Sequence, residues 1–251
     1  MTSSVLSAVR ARPATTTAGL VGLVVSGVLL ALLTDSAAVS RPVTTDEAAQ
    51  LALSRLTTYE SSPALVEITV PSGSARTRVH GLVDFRTHHA VGSYATDGAG
   101  TGGMIAWDQG GLGVAPDRQP ADPGPAGLAH TAEGMPGPDW SPRAYTGDPF
   151  DTALHLTMAL AADRPDNPQL LAQSGARKLR DEVLEGHAYG VFSGPLPRGS
   201  ETAESHLTYW VDGDGNLGRV ELRTAAGGQP ITVELKGRRL DTQVPQAPWG
   251  R

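Results

Sequence analysis

Leu207-Thr-Tyr-Trp-Val-Asp-Gly-Asp-Gly-Asn-Leu-Gly-Arg-Val220 is the stretch that decides the fold, because its side chains sort by parity onto two faces. A two-residue turn at Asp214-Gly215, favoured hairpin chemistry, sets Leu207 against Leu222, Tyr209 against Val220 and Val211 against Gly218 on one face. Thr208 then faces Glu221, and Trp210 faces Arg219, on the other. If the Gly227-Gly228 turn preserves parity, the following strand adds Ile231, Val233 and Leu235 to the apolar face and Thr232, Glu234 and Lys236 to the polar one. The sheet is therefore expected to be one-sided. A slip of one residue would turn the whole apolar set into water, so the register is strongly specified.

Upstream, strand signals run over Leu65 to Val70, Arg76 to Phe85, Ala90 to Tyr94, Met104 to Trp107 and Gly111 to Ala115, separated by Gly, Ser and Asp turns. Val79, Gly81, Val83 and Phe85 share one face, with His80 and Asp84 opposite. Further strands are expected at about Ala176 to Glu185 and His187 to Ser193. Helices are few. Thr44-Thr45-Asp46-Glu47 reads as a capping box opening a helix to about Thr58. Asp148-Pro149 caps a second, from Pro149 to Ala162, whose apolar residues go most of the way round and so mark it as enclosed. Asn167-Pro168 starts a short third helix that stops at Gly175. Between Pro116 and Pro149, 34 residues hold eight prolines and five glycines, which reads as one long loop. The fold class expected is α+β, mostly antiparallel, with roughly nine or ten strands whose apolar face must be covered by these helices and that loop.

The N-terminus supplies an address. Between Arg12 and Asp35 the chain runs 22 residues without a charge, roughly 33 Å as a helix at about 1.5 Å per residue, against a hydrocarbon core of about 30 Å. Arg10 and Arg12 precede this run and no basic residue follows closely, so the N-terminus is expected inside and the remainder outside the cytoplasm. The expected plan is a cytoplasmic tail over 1–13, one transmembrane helix over 14–34, a linker over 35–43, an extracytoplasmic domain over 44–240 and a flexible tail over 241–251. The alternative is a secreted protein, with 14–34 a signal peptide cleaved near Ser36-Ala37-Ala38. Ala18, Gly22 and Ser26 make a small-residue row suited to helix pairing. With no cysteine, the chain has no thioether lipid anchor, no disulfide and no thiolate metal site. The first 40 residues carry Arg10, Arg12 and Asp35, so the formal −6 of the whole chain becomes −7 for the rest. Such a domain has no basic stripe for a phosphate backbone, and no nucleic-acid partner is expected.

The order helix, strand block, proline-rich segment, helix pair, strand block, with the Leu207 to Val220 hairpin near the C-terminus, resembles the LolA/LppX-like half-barrel superfamily of envelope lipid carriers from about Thr45 to Arg239. More closely, Asp163-Arg-Pro-Asp-Asn167, Gly175-Ala-Arg177 and Ile105-Ala-Trp-Asp108 resemble a set of uncharacterised membrane-anchored actinobacterial proteins. The resemblance implies that the sheet is a curved half-barrel whose concave face holds a lipid or other hydrophobic ligand.

Motifs that suggest chemistry fail on context. Gly98-Ala-Gly100-Thr-Gly-Gly103 fits a dinucleotide fingerprint, but Met104-Ile-Ala-Trp107 after it reads as a strand and not as the required helix. Asp212, Asp214 and Asn216 have calcium-loop spacing, yet Leu217 and Arg223 stand where glycine and glutamate belong, so a tight turn is expected. His88-His89 reads as two solvated histidines, and His155 as a hydrogen-bonded core histidine. No cofactor, metal or catalytic motif is expected. The candidate ligand-binding residues are Trp140, Tyr145, Phe150, Leu154, Met158, Tyr209 and Leu222, with Trp140 and Tyr145 packing over the mouth of the half-barrel beside Phe150 and Met158. Alternatively, Trp140 pins the loop to the outer surface.

Two readings follow: a ligand-holding domain, or a sensory or interaction ectodomain bound to an envelope protein with the cavity filled by its own side chains. An apolar pocket of about 300 Å³ or more, open at one edge, favours the first. Filling of the concavity by Phe150, Leu154 and Met158 favours the second. External protease on intact cells is expected to remove the domain after Asp35 while sparing the N-terminus. A tag after Arg251 accessible only in lysed cells would refute this, and a mature N-terminus at Val39 would point to cleavage.

Overall fold

A computed structural model describes residues 40–196, 205–224 and 228–246. The expected 14–34 span lies outside them, and among the described residues no helix is long and apolar enough to cross a membrane. Twelve strands form one open, curved, wholly antiparallel sheet in the order β1-β8-β9-β10-β11-β12-β2-β3-β4-β5-β6-β7. They are β1 (Arg41–Pro42), β2 (Ala64–Ser72), β3 (Ala75–Asp84), β4 (His89–Thr96), β5 (Gly102–Asp108), β6 (Leu112–Pro116), β7 (Ser141–Arg143), β8 (Arg177–Leu184), β9 (His187–Ser193), β10 (Leu207–Val211), β11 (Leu217–Leu222) and β12 (Ile231–Gly237). The helices are α1 (Thr45–Glu60), α2 (Pro125–Gly134), α3 (Pro149–Ala159) and α4 (Pro168–Gln173). The five upstream strands lie where the sequence predicts, and the strands beyond its count are the short edges β1 and β7.

The hairpin register holds in its body and slips at its tip. Leu207 pairs with Leu222, Tyr209 with Val220 and Trp210 with Arg219, but Val211 pairs with Leu217 and not Gly218. The turn is longer than two residues: Asp212 Oδ1 accepts the amides of Asp214 (3.0 Å) and Asn216 (2.8 Å), and Gly215 takes the left-handed conformation at φ 80°. These bonds engage the Asp212 carboxylate inside its own loop, and among the described residues no group of three potential metal ligands exists. Gly218 becomes the extra residue of a β-bulge, which reverses parity and turns Leu217 into the core.

The face opposite Tyr209 differs from expectation in burial, though not in register. Trp210 does lie across from Arg219, but it is only 1% exposed, because Arg180 and Arg219 hold their guanidinium carbons 5.6 Å and 5.4 Å from the ring. Arg219 also binds Glu234 on β12, the neighbouring strand. Ion pairing thus covers an aromatic ring that would otherwise be in water.

Apolar packing on both faces of β3 to β6 corrects the one-sided expectation. The concave core takes Val79, Val83, Ile105, Trp107 and Leu112, while Leu82, Val91, Met104, Ala106 and Ala115 form a second, convex cluster. Strands buried on both faces read as continuous apolar runs, as Met104-Ile-Ala-Trp107 does. Gly81 leaves room for the fully buried Trp107, since a Cβ there would stand 2.6 Å from the ring.

The segment from 116 to 149 is not a simple loop, because its prolines flank structure instead of interrupting it. Pro125 begins α2 at a position that needs no N–H, and Leu128, Ala129 and Ala132 lie buried in the convex cluster. Trp140 closes that cluster at 4% exposure, and β7 then pairs with β6. Val244, within the expected tail, packs there too.

Asp151, on the first turn of α3, fastens the end of this segment to the sheet. Its fully buried carboxylate accepts both Arg143 guanidinium nitrogens, the Thr146 amide at 2.6 Å and the Thr146 hydroxyl at 2.7 Å. Burial raises its pKa, but Arg143 and Thr146 outweigh that and hold it below the ordinary 3.8. Tyr145 donates to the Asp108 carbonyl at 2.6 Å. A second anchor closes the other end: Glu47 completes the Thr44 capping box, accepts both Arg41 nitrogens at 2.7 Å, and is drawn down to about 2 chiefly by that pairing.

Two outcomes follow from this packing. Trp140→Ala should cost about 3–5 kcal/mol in chemical denaturation, as for other buried large-to-small changes; a loss under about 1 kcal/mol would show that α2 is not held by the ring. Asp151→Asn should cost about 1–3 kcal/mol at neutral pH by removing a buried acceptor from Thr146 and Arg143. Because the folded-state pKa is lowered, the wild-type contribution is complete above the ordinary 3.8 and fades as pH falls through the folded value. The variant's acid limb should therefore be shallower, and parallel limbs would refute the assignment.

Candidate functional site

Two rows of α3 meet different surroundings. Phe150, Leu154 and Met158, four apart, face the sheet over β2, β5 and β12 and fill the middle of the concavity. Leu156 and Leu160, also four apart, face sideways into a cavity of about 370 Å³ between α1, α3, α4 and the β10–β11 hairpin. Leu51 of α1, Leu171 of α4, and Leu207, Tyr209 and Leu217 complete its apolar lining. Leu217 belongs to that wall only because the bulge turns it inward. Cavities of about 390 and 420 Å³ lie elsewhere on the surface, but charged and amide side chains such as Glu185, Lys236, Arg238, Asp241 and Gln243 line them. Apolar lining, more than size, singles out the cavity beside Tyr209.

The walls are tied by backbone bonds. The Ala162 amide donates to the Arg55 carbonyl at 3.1 Å, and the Asp166 amide to the Ala52 carbonyl at 3.0 Å, so residues 160 to 166 are laid along α1. Asn167 caps α4 by accepting from Gln169 (2.9 Å) and Leu170 (3.2 Å). Polar groups gather on one side. Arg55 Nη1 stands 3.3 Å from Asp166 Oδ1, Nη2 donates to the Ala161 carbonyl at 3.3 Å, and Nε is enclosed without a partner. Burial pushes the Tyr209 phenol up to about 12, Arg55 opposing and Asp166 adding to the shift. The hydroxyl of Ser54 donates to the Leu51 carbonyl at 2.7 Å, and among the described residues no histidine lines the cavity. This arrangement suits holding apolar matter with a polar group at one end.

Of the sequence-predicted site residues, Tyr209 alone lines this cavity. Tyr145, Phe150, Leu154, Met158 and Leu222 belong to the same concave core. Phe150 also borders a second recess of about 340 Å³ with Tyr94, their rings edge-on at 6.1 Å. Trp140 is not with them: it sits in the convex cluster, as in the alternative that pins the segment to the outer surface. His155 is exposed and stacked on Tyr145 at 5.1 Å, so it is not a core histidine, and α3 is open to water there. His88 and His89 are half-buried, with both Nδ1 atoms enclosed, and not fully solvated. Sequence reasoning missed Arg55 and Asp166. The signal available was Leu51, Ser54 and Arg55 at i, i+3 and i+4, the spacing of one helix face.

No family model matches the sequence, and no curated protein matches it. Among solved structures, the chain is similar to one described as the MucA/MucB complex of Pseudomonas aeruginosa, at 13% identity and a TM-score of 0.35 over 79% of this chain and 58% of that one. It therefore spans less than two thirds of that neighbour. A LolA superfamily protein from Nitrosomonas europaea matches at 11% identity and TM-score 0.30, over 81% of this chain and 96% of that one. A DUF1329 family protein from Desulfovibrio piger matches at 12% and 0.32, over 82% and 97%. Likeness of this degree carries no argument about function, and the half-barrel description rests on the strand order and concave packing of the chain itself.

Proposed function

We propose that this chain is a membrane-anchored extracytoplasmic binding domain that holds a lipid or other hydrophobic ligand at one end of its half-barrel. The observation that carries this reading is the apolar cavity of about 370 Å³ walled by Leu51, Leu156, Leu171, Leu207, Tyr209 and Leu217. Its volume lies toward the lower end of the roughly 300–1,000 Å³ of small-molecule sites. That suits one chain or ring system, since α3 already occupies the middle of the concavity. The proposed role is to bind and not to transform.

A second reading is an interaction or sensory ectodomain, favoured by the same α3 filling and by Leu170, which stands 65% exposed beside the cavity-lining Leu171. A neutral dye, N-phenyl-1-naphthylamine, separates the two. With the full chain in nanodiscs and empty discs subtracted, the first reading expects saturable dye fluorescence that Leu156→Trp abolishes by filling the cavity without lowering the melting temperature. Saturable binding unchanged in Leu156→Trp would place the ligand elsewhere. No binding by the wild type would favour the interaction reading.

A further inference from the structure

Resting on the ligand-holding reading, we infer that the cavity takes a single-chain amphiphile with an anionic head, the chain lying among the leucines and a carboxylate or phosphate oxygen meeting Arg55. The walls alone would accept any apolar body. Arg55 makes the site selective.

Arg55 lies one turn beyond Leu51 on α1, so the residue that lines the apolar wall and the one that carries the cation share a helix face. Its side chain is 41% exposed, but Nε is enclosed. A guanidinium has five N–H donors. This one makes two bonds, to Asp166 and to the Ala161 carbonyl, both at 3.3 Å, long against the roughly 2.7–2.9 Å of a charge-assisted bond. Arg41, by contrast, reaches Glu47 with both terminal nitrogens at 2.7 Å. Arg55 Nε, enclosed and without a partner, is an unmet donor beside an apolar cavity, and burying such a donor is unfavourable until an acceptor meets it.

A donor that lacks an acceptor selects a ligand that brings one. Asp166 does not fill this role, because its side chain is 37% exposed and reaches Arg55 with one oxygen through Nη1. An incoming anion can displace that contact while Asp166 remains solvated. Tyr209, on the facing wall and coupled electrostatically to both Arg55 and Asp166, places a hydroxyl near the same polar end. The ligand's chain then runs toward Leu156, Leu171 and Leu207. A cationic head would be repelled by the guanidinium, and a neutral head would forgo the charge-assisted bond.

The test is competition against N-phenyl-1-naphthylamine with the full chain in nanodiscs, at a pH where the carboxylic acid is ionised, using dodecanoate, dodecanol and dodecyltrimethylammonium. Dodecanoate is expected to displace the dye at roughly tenfold lower concentration than dodecanol, the scale of one hydrogen bond to a charged group. Arg55→Met should erase that preference while dodecanol still competes. Asp166→Asn, which keeps the arginine and removes its competitor, should strengthen dodecanoate several-fold and so tests the idea even if Arg55→Met fails to fold. Equal competition by dodecanoate and dodecanol, or preference for the ammonium, overturns the head-group assignment and leaves the apolar site standing. Failure of all three amphiphiles to displace a bound dye overturns both.

Discussion

The pairing of β12 with β2 is the constraint on which the rest depends. Among the described residues there are eleven antiparallel ladders, and apart from the two-residue pairing of β1 with β8 this one alone joins strands before the α2 segment to those after α4, so without it the sheet divides into two open sheets with no shared concavity. Its register sets Val233 beside Ile68 and Leu235 beside Val66, while Val233 also faces Val220 on the other side. One parity therefore runs unbroken from β11 through β12 into β2 and β3. Helix α3 lies over this seam, packed against both β12 and β2, with Leu154 fully buried. Disturbing the seam would deprive α3 of its seat and the lateral cavity of one wall.

The two faces of the sheet solve different problems. Concave residues are buried by helices, as apolar surface requires. Convex residues divide into two regions. Over β3 to β6 a second helix, α2, covers apolar side chains. Over β8 to β12 no helix among the described residues does so, and charged residues cover Trp210 instead. Glu234 and Glu182 both have carboxyls that burial raises and neighbouring donors bring below their usual range: Lys236 and Arg219 for the first, Arg180 for the second. Such partly exposed pairs contribute little stability individually. Their effect is geometric, holding Arg180 and Arg219 over the ring.

How much of this was legible depends on the range of the signal. The alternating faces of the hairpin, the upstream strands and the caps at Thr44, Asp148 and Asn167 were readable, because parity and capping act within a few residues. The bulge at Gly218 was not, since a two-residue turn at Asp214-Gly215 satisfies local chemistry equally well until Asp212 bonds its own loop. Nor was α2 read as a helix, because proline and glycine counts over 116–149 concealed the proline-free run after Pro125. The candidate site suffered most. Tyr209 and the row Phe150, Leu154, Met158 were placed on the correct face, but Arg55 and Asp166 are 111 residues apart and meet only through the fold. Trp140 illustrates the opposite error: its nearness in sequence to α3 suggested a shared site, whereas β7 and the turn before it carry it to the other side of the sheet.

The placement of the cavity bears on what the domain can exchange. A half-barrel with an empty centre would take up a ligand broadside, over the whole sheet. Here the centre is filled by α3, itself held at its N-terminus by Asp151, Arg143 and Thr146, and the remaining space lies laterally against α1 and α4. The cavity is thus bounded by short elements, since α4 has only six residues and its wall depends on the Asn167 cap and on the bonds from residues 162 and 166 to α1. Helices that short draw their stability from packing and not from their own hydrogen bonds. Helix α4 rests chiefly on α1, so the wall of the cavity and the β12–β2 seam depend on different contacts.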